Sequence, residues 1–322
     1  MAEIFARRPV PTASFASVMG IAALGLAWRA SATSQGLPAG IGEFFIAASA
    51  VIFAALLAVW VTRVRTNPQE VEAEQHSAIA ASYLGTITIS CSLLAAGALP
   101  YSRIAATVLW AIGAFGGAAL LIYLLGRWIE GGIKGPELTP ALFIPVVGNA
   151  TSVYAAVPLG YGELGWASFA FALLCWLTLG PLTMYRLMVT EPRLPRKMAP
   201  QLAVMVSSPA VMASAWYLLT GTADPAFKIL AFKALFFALL TARLWKMAWG
   251  EPFNVAMWGY TFPTAALAGA FERAAAAIPS PLYVALATGS LAVATVAVVL
   301  CAAWTVRGWI RQFTERAALP AT

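Results

Sequence analysis

Chemistry inside a protein needs a nucleophile with a base and a group to orient them, or a cluster of metal ligands. This sequence offers little of either. It has one histidine, His76, beside Glu72 and Glu74, and three cysteines, Cys91, Cys175 and Cys301, without paired spacing. Single thiols inside apolar stretches are small packing residues more often than ligands, so no catalytic residue, metal site or cofactor is expected. What recurs instead is a mixture of hydroxyls, prolines and aromatic rings within apolar stretches. Thr261-Phe262-Pro263-Thr264 is the sharpest instance. Others are Ser207-Ser208-Pro209, Pro145 followed by Asn149, Thr86 within the polar run 82–92, and Ser17 with Thr12 and Ser14. The chemistry such residues support is passage rather than reaction, because an aromatic ring projecting into a narrow conduit blocks it and excludes water. Taken alone, Phe262 has a competing reading as one packing aromatic among seventeen phenylalanines.

The elements that must carry these residues are membrane helices. Over 322 residues the chain is 61% hydrophobic and 10% charged, with a mean hydropathy of +0.80, which excludes a soluble domain. A helix needs about 20 apolar residues to cross a hydrocarbon core of roughly 30 Å. Ten stretches qualify, near 10–30, 39–62, 78–99, 104–126, 139–158, 164–189, 199–220, 225–248, 254–271 and 281–306. The connections are too short for a separate soluble domain, so residues 1–322 read as one transmembrane domain of the all-α class. The odd stretches hold the hydroxyls, whereas 44–60, 104–125 and 282–303 are nearly all Ala, Leu, Val, Ile, Phe and Trp. Helix-breaking and hydroxyl-bearing residues belong on helices that face a cavity or protein. The alternation therefore suggests an inner ring of odd helices and an outer ring of even ones. Small residues that let helices pack closely are the competing explanation, but close packing alone does not predict strict alternation. Pro145, Pro209 and Pro263 are expected to kink three odd helices near mid-membrane, and Pro181 to curve an outer one.

Charge sets the orientation. With the N-terminus inside, Arg7, Arg8, Arg63, Arg65, Arg127, Lys197, Arg243 and Arg307 fall on the inner side, and only Arg29, Arg103, Lys228 and Arg273 on the outer. The excess of cations on cytoplasmic loops predicts a multi-pass protein of the inner (plasma) membrane with both termini cytoplasmic. The formal net charge of +7 reflects this bias and attraction to the anionic headgroups of the lipid bilayer, not nucleic acid. Lys233 and Glu43 are the ionisable candidates for a coupling site, and both fall on even spans.

Family resemblance enters at the stretch 253–263, Phe-Asn-Val-Ala-Met-Trp-Gly-Tyr-Thr-Phe-Pro. It is similar to the ninth helix of the tellurite-resistance TehA and plant slow-type anion channel family. Pro9-Val10-Pro11-Thr12, Glu74-Gln75-His76-Ser77, Phe143-Ile144-Pro145-Val146-Val147, Gly160-Tyr161-Gly162-Glu163 and Ser208-Pro209-Ala210-Val211 follow the same family in order. The resemblance implies ten helices as five helical hairpins around a quasi-five-fold central pore, a homotrimer with one pore per protomer, and a gating phenylalanine, Phe262. It implies an anion channel passing chloride and nitrate, or alternatively a secondary transporter exporting tellurite, sulfite or malate. Its conduit has little fixed positive charge, in keeping with odd spans that show hydroxyls and no intramembrane Arg or Lys. The chain departs from relatives in helix one, where Phe15 is followed by Ala16, Ser17 and Val18, a change that bears on kink geometry and pore width.

Overall fold

The computed structural model describes residues 10–247 and 251–317; Arg7, Arg8 and Pro9 lie outside them. The longer helices are α1 (Ala16–Gln35), α2 (Ala39–Thr66), α3 (Gly85–Ala98), α4 (Arg103–Gly131), α5 (Ile144–Leu159), α6 (Gly162–Val189), α7 (Val204–Thr220), α8 (Pro225–Arg243), α9 (Thr261–Ala277) and α10 (Pro281–Ala317). Nine helical stretches among the described residues are long and apolar enough to cross a membrane. The helix α9, of 17 residues, continues from a 3-10 turn, Val255–Tyr260.

Burial follows the alternation in composition. Between 61% and 89% of the apolar windows containing α1, α3, α5 and α7 is buried, against 17% to 39% for the even helices. Most of α9 is buried as well. Each odd helix packs on the even helix that follows it, α1 on α2 through α9 on α10. The odd helices also touch one another in a closed cycle: α1 meets α3, α3 meets α5, α5 meets α7, α7 meets α9, and α9 returns to α1. Side chains such as Phe44, Val51, Ile104, Leu174, Ile229 and Val293 remain exposed on the even helices. So much exposed apolar surface is tenable against lipid or another apolar face, not against water.

The turns from odd to even helices are tight. The helix α5 ends at Gly160 with φ 89°, a left-handed closure that glycine adopts without steric cost. The helix α8 starts at Asp224, whose carboxylate accepts from the Phe227 amide at 3.0 Å, satisfying one of the free N–H groups of a helix start.

The opposite, N-terminal ends of the odd helices share a different device. Tight turns at Thr12–Phe15, Pro140–Phe143, Arg196–Ala203 and Val255–Tyr260 lead directly into α1, α5, α7 and α9, and a short broken helix, Ala78–Ser82, precedes α3. Two of the three expected proline kinks take another form here. Pro145 lies in the first turn of α5 and Pro263 is the third residue of α9. At those positions a missing N–H forfeits no bond within the α-helix. Only Pro209 interrupts the interior of its helix, α7.

Candidate functional site

A cavity of about 40 Å3 lies at the N-terminal ends of the odd helices, and its wall is built by a rule. Each odd segment contributes residues three apart: Ala16 and Met19, Thr86 and Ile89, Ile144 and Val147, Val204 and Ser207, Gly259 and Phe262. Four of these pairs lie in the first two turns of α-helices, where residues three apart share a face, and the fifth spans the junction of the 3-10 turn with α9.

The wall is mostly apolar, and its hydroxyls are engaged by their own helices. Thr86 Oγ1 donates to the Tyr83 carbonyl at 2.6 Å and Ser207 Oγ to the Val204 carbonyl at 2.9 Å. They present lone pairs and weak dipoles rather than free donors. Gln201 adds a buried amide whose Oε1 has no hydrogen-bond partner among the described residues.

Phe262 is 4% exposed and borders this cavity on one side and a second, smaller pocket on the other. The second pocket, of about 10 Å3, is also lined by Ala23, Leu93, Tyr154, Gly269 and Arg273. A volume near 10–15 Å3 accommodates about one water molecule, so this pocket has no room for a hydrated ion.

Of the residues singled out in the sequence, Phe262, Pro263 and Thr86 border the larger cavity. The others face helices. Phe15 packs edge-on against Phe53 of α2 at 5.8 Å. Ser17 Oγ donates to the Ser14 carbonyl at 2.7 Å, and Thr264 Oγ1 to the Tyr260 and Thr261 carbonyls at 2.9 Å each. Thr261, fully buried, lies against Gly20 of α1. Pro145 abuts Gly85 of α3. Asn149 Nδ2 donates to the Pro145 carbonyl at 3.0 Å, and its Oδ1 is buried without a partner among the described residues. Ser208 and Pro209 are buried beside Ser207, the serine that reaches the cavity.

The ionisable groups are distributed differently from the sequence reading. Because α9 runs to Ala277, Glu272 and Arg273 belong to an odd helix, as Arg29 does on α1. Glu272 is 1% exposed and accepts from Ser34 Oγ and from Gln35 Nε2 at 2.8 and 2.9 Å. Arg273 is half-buried and borders the smaller pocket. Hydropathy ends the ninth span at 271 because two charges follow, and nothing in the local pattern says that the core continues past them. Glu43 is ion-paired with Arg29 at 2.7 Å, and Lys233 Nζ sits 3.7 Å above the Trp176 ring. Neither borders the two cavities.

At the N-terminal mouth, Arg63 is 7% exposed and donates to Glu74 at 2.7 Å, while Glu74 also accepts from Thr12 at 3.3 Å. This couples the short helix Pro68–Gln75 to the turn that begins α1. Among the described residues no group of three His, Cys, Asp or Glu could hold a metal ion.

Comparison with known proteins places this closed cycle of contacting helices in a family. The voltage-dependent anion channel family SLAC1 matches residues 9–306. The chain belongs to that family. It is 26% identical over 269 residues to the tellurite resistance protein TehA homolog of Haemophilus influenzae, covering 81% of this chain and 80% of the relative. To the S-type anion channel SLAH3 of Arabidopsis thaliana it is 25% identical over 297 residues, covering 89% of this chain and 46% of the relative. To SLAH1 of the same plant it is 31% identical over 198 residues, covering 59% of this chain and 51% of the relative. The matches to these two plant channels thus span about half of their length. This SLAC1-family member is a membrane anion channel or transporter, in a family of channels and transporters rather than enzymes.

Proposed function

We propose that this SLAC1-family member is a passive, gated channel of the inner (plasma) membrane for small monovalent anions, occluded by Phe262. The observation that carries this reading is a cavity lined by residues of all five odd segments, with Phe262 bordering both it and a second pocket. In this reading ten helices form five hairpins about a quasi-five-fold pore, with both termini cytoplasmic as the lysine and arginine bias favours. The apolar outer faces of the even helices suit lipid and the contacts of a homotrimer.

Selectivity follows from the wall. Hydroxyls engaged by backbone carbonyls replace little of an anion's hydration, so dehydration is the main barrier. That barrier is lowest for large, weakly hydrated ions, and nitrate, bromide and iodide should equal or exceed chloride. Gating would be displacement of the Phe262 ring, with Pro263 fixing the backbone next to it.

One observation favours coupled transport instead: Glu272, a buried carboxylate without an ion-pair partner among the described residues. Buried carboxylates in membrane helices often carry protons. Glu272 is bound to Ser34 and Gln35 and borders neither cavity, so the channel reading is preferred. Proteoliposomes loaded with chloride or nitrate test it: efflux should follow the anion gradient and be unaffected by an imposed pH gradient. Efflux that requires the pH gradient would make the protein a carrier.

A further inference from the structure

Among the described residues lining the two cavities, Arg273 alone carries a charge. Eleven residues separate it from Phe262 on α9, about three helical turns or 16 Å, so the two share a face. Ala265, Ala266 and Gly269 fill the stripe between them on the same pocket wall. Arginine side chains on a helix lean back toward its N-terminus, which brings this guanidinium toward the ring.

The guanidinium is held but not neutralised. It lies 5.1 Å from the Tyr154 ring centroid, and Nη1 donates to the Gly269 carbonyl at 2.8 Å and to Ser214 Oγ at 3.5 Å. No carboxylate pairs with it, and Nε and Nη2 make no hydrogen bond among the described residues. Glu272 is its neighbour in sequence but turns toward α1. Arg29, on α1, shows the contrast. Its Nε and Nη2 bind Glu43, and the Ala96 and Gly97 carbonyls take further N–H groups. One arginine is a structural ion pair; the other lines a pocket and has no ion-pair partner among the described residues.

Resting on the channel reading above, we propose that Arg273 is an anion-binding site at the C-terminal mouth of the conduit. It takes one halide or nitrate on its free N–H edge before the ion meets Phe262. The guanidinium fork suits a planar oxyanion or a halide. A fixed cation at a water-filled mouth raises the local anion concentration. A single contact of this kind still lets the ion leave, which conduction requires.

The test is current through planar bilayers as a function of chloride at that mouth, in a Phe262→Ala parent with an open path. Arg273→Gln should raise the half-saturating chloride concentration about five-fold, the Coulombic effect of one charge at contact distance in water. Current at saturating chloride should converge on the parent value. Arg273→Lys should recover part of the shift. Because Arg273→Gln could also disturb folding, Arg273→Cys in reconstituted channels gives a second reading. A cationic thiol reagent should lower the half-saturating concentration and an anionic one should not. Equal half-saturation in the parent and Arg273→Gln, or equal effects of the two reagents, would overturn the site while leaving the channel in place. No current in the folded parent would overturn the channel reading on which the site rests.

Discussion

Truncating Phe262 to alanine removes a ring that borders both cavities. In the wild type the smaller pocket holds about one water, so an ion passes only when the ring swings away. That displacement costs the burial of an aromatic side chain, about 1.5–3 kcal/mol, and an off-rotamer torsion, about 0.5–1.5 kcal/mol. The sum is about 2–4.5 kcal/mol. At about 1.4 kcal/mol per decade, the unblocked state is then populated roughly 30- to 1,600-fold less than the blocked one. Phe262→Ala should raise macroscopic anion current by a factor in that range. Phe262→Leu should fall between the two, because part of the obstruction remains. The assay is whole-cell or bilayer current normalised to protein in the membrane, with size-exclusion profiles to establish folding. Wild-type currents in a folded, equally expressed Phe262→Ala channel would refute the ring as the barrier.

Other perturbations separate packing from conduction. A Cβ at Gly20 would overlap the Thr261 side chain, so Gly20→Ala should lower thermal stability by about 1–3 kcal/mol, the usual cost of overpacking, as read by detergent melting curves. Glu74→Gln leaves the buried Arg63 with only Glu70, at 3.9 Å, as a carboxylate partner; a loss of about 1.5–3 kcal/mol, that of a hydrogen bond to a charged group, is expected, with chemical denaturation as the readout. Lys233→Met removes a cation from the Trp176 ring, which should cost about 0.5–1 kcal/mol of stability and leave anion current unchanged. A dependence of transport on Lys233 would point to a coupled carrier.

The sequence carried the alternation of buried and exposed helices because composition reports environment. Hydroxyls, glycines and prolines sit on helices that end up buried, and uninterrupted aliphatic runs such as that of α2 sit on helices left exposed. Composition does not report azimuth. Ser207 and Ser208 are indistinguishable in a polar cluster, yet only Ser207 reaches the cavity, and Phe15 turns outward to Phe53. Nor does it report helix boundaries where charge and burial coincide. The buried Glu272 and the half-buried Arg273 end a hydropathy window while α9 continues. The prolines were legible as breaks, but their form depends on the 3-10 turns that receive Pro145 and Pro263 at helix starts.

The central claim is passive anion conduction through the cavity that ends at Phe262. The most direct measurement is the reversal potential of the Phe262→Ala channel in a planar bilayer with chloride unequal and pH unequal across it. Passive anion conduction predicts a reversal potential at the chloride equilibrium value, moving as chloride is replaced by nitrate and indifferent to the pH gradient. A reversal potential that follows the pH gradient, or ignores replacement of the anion, would contradict it.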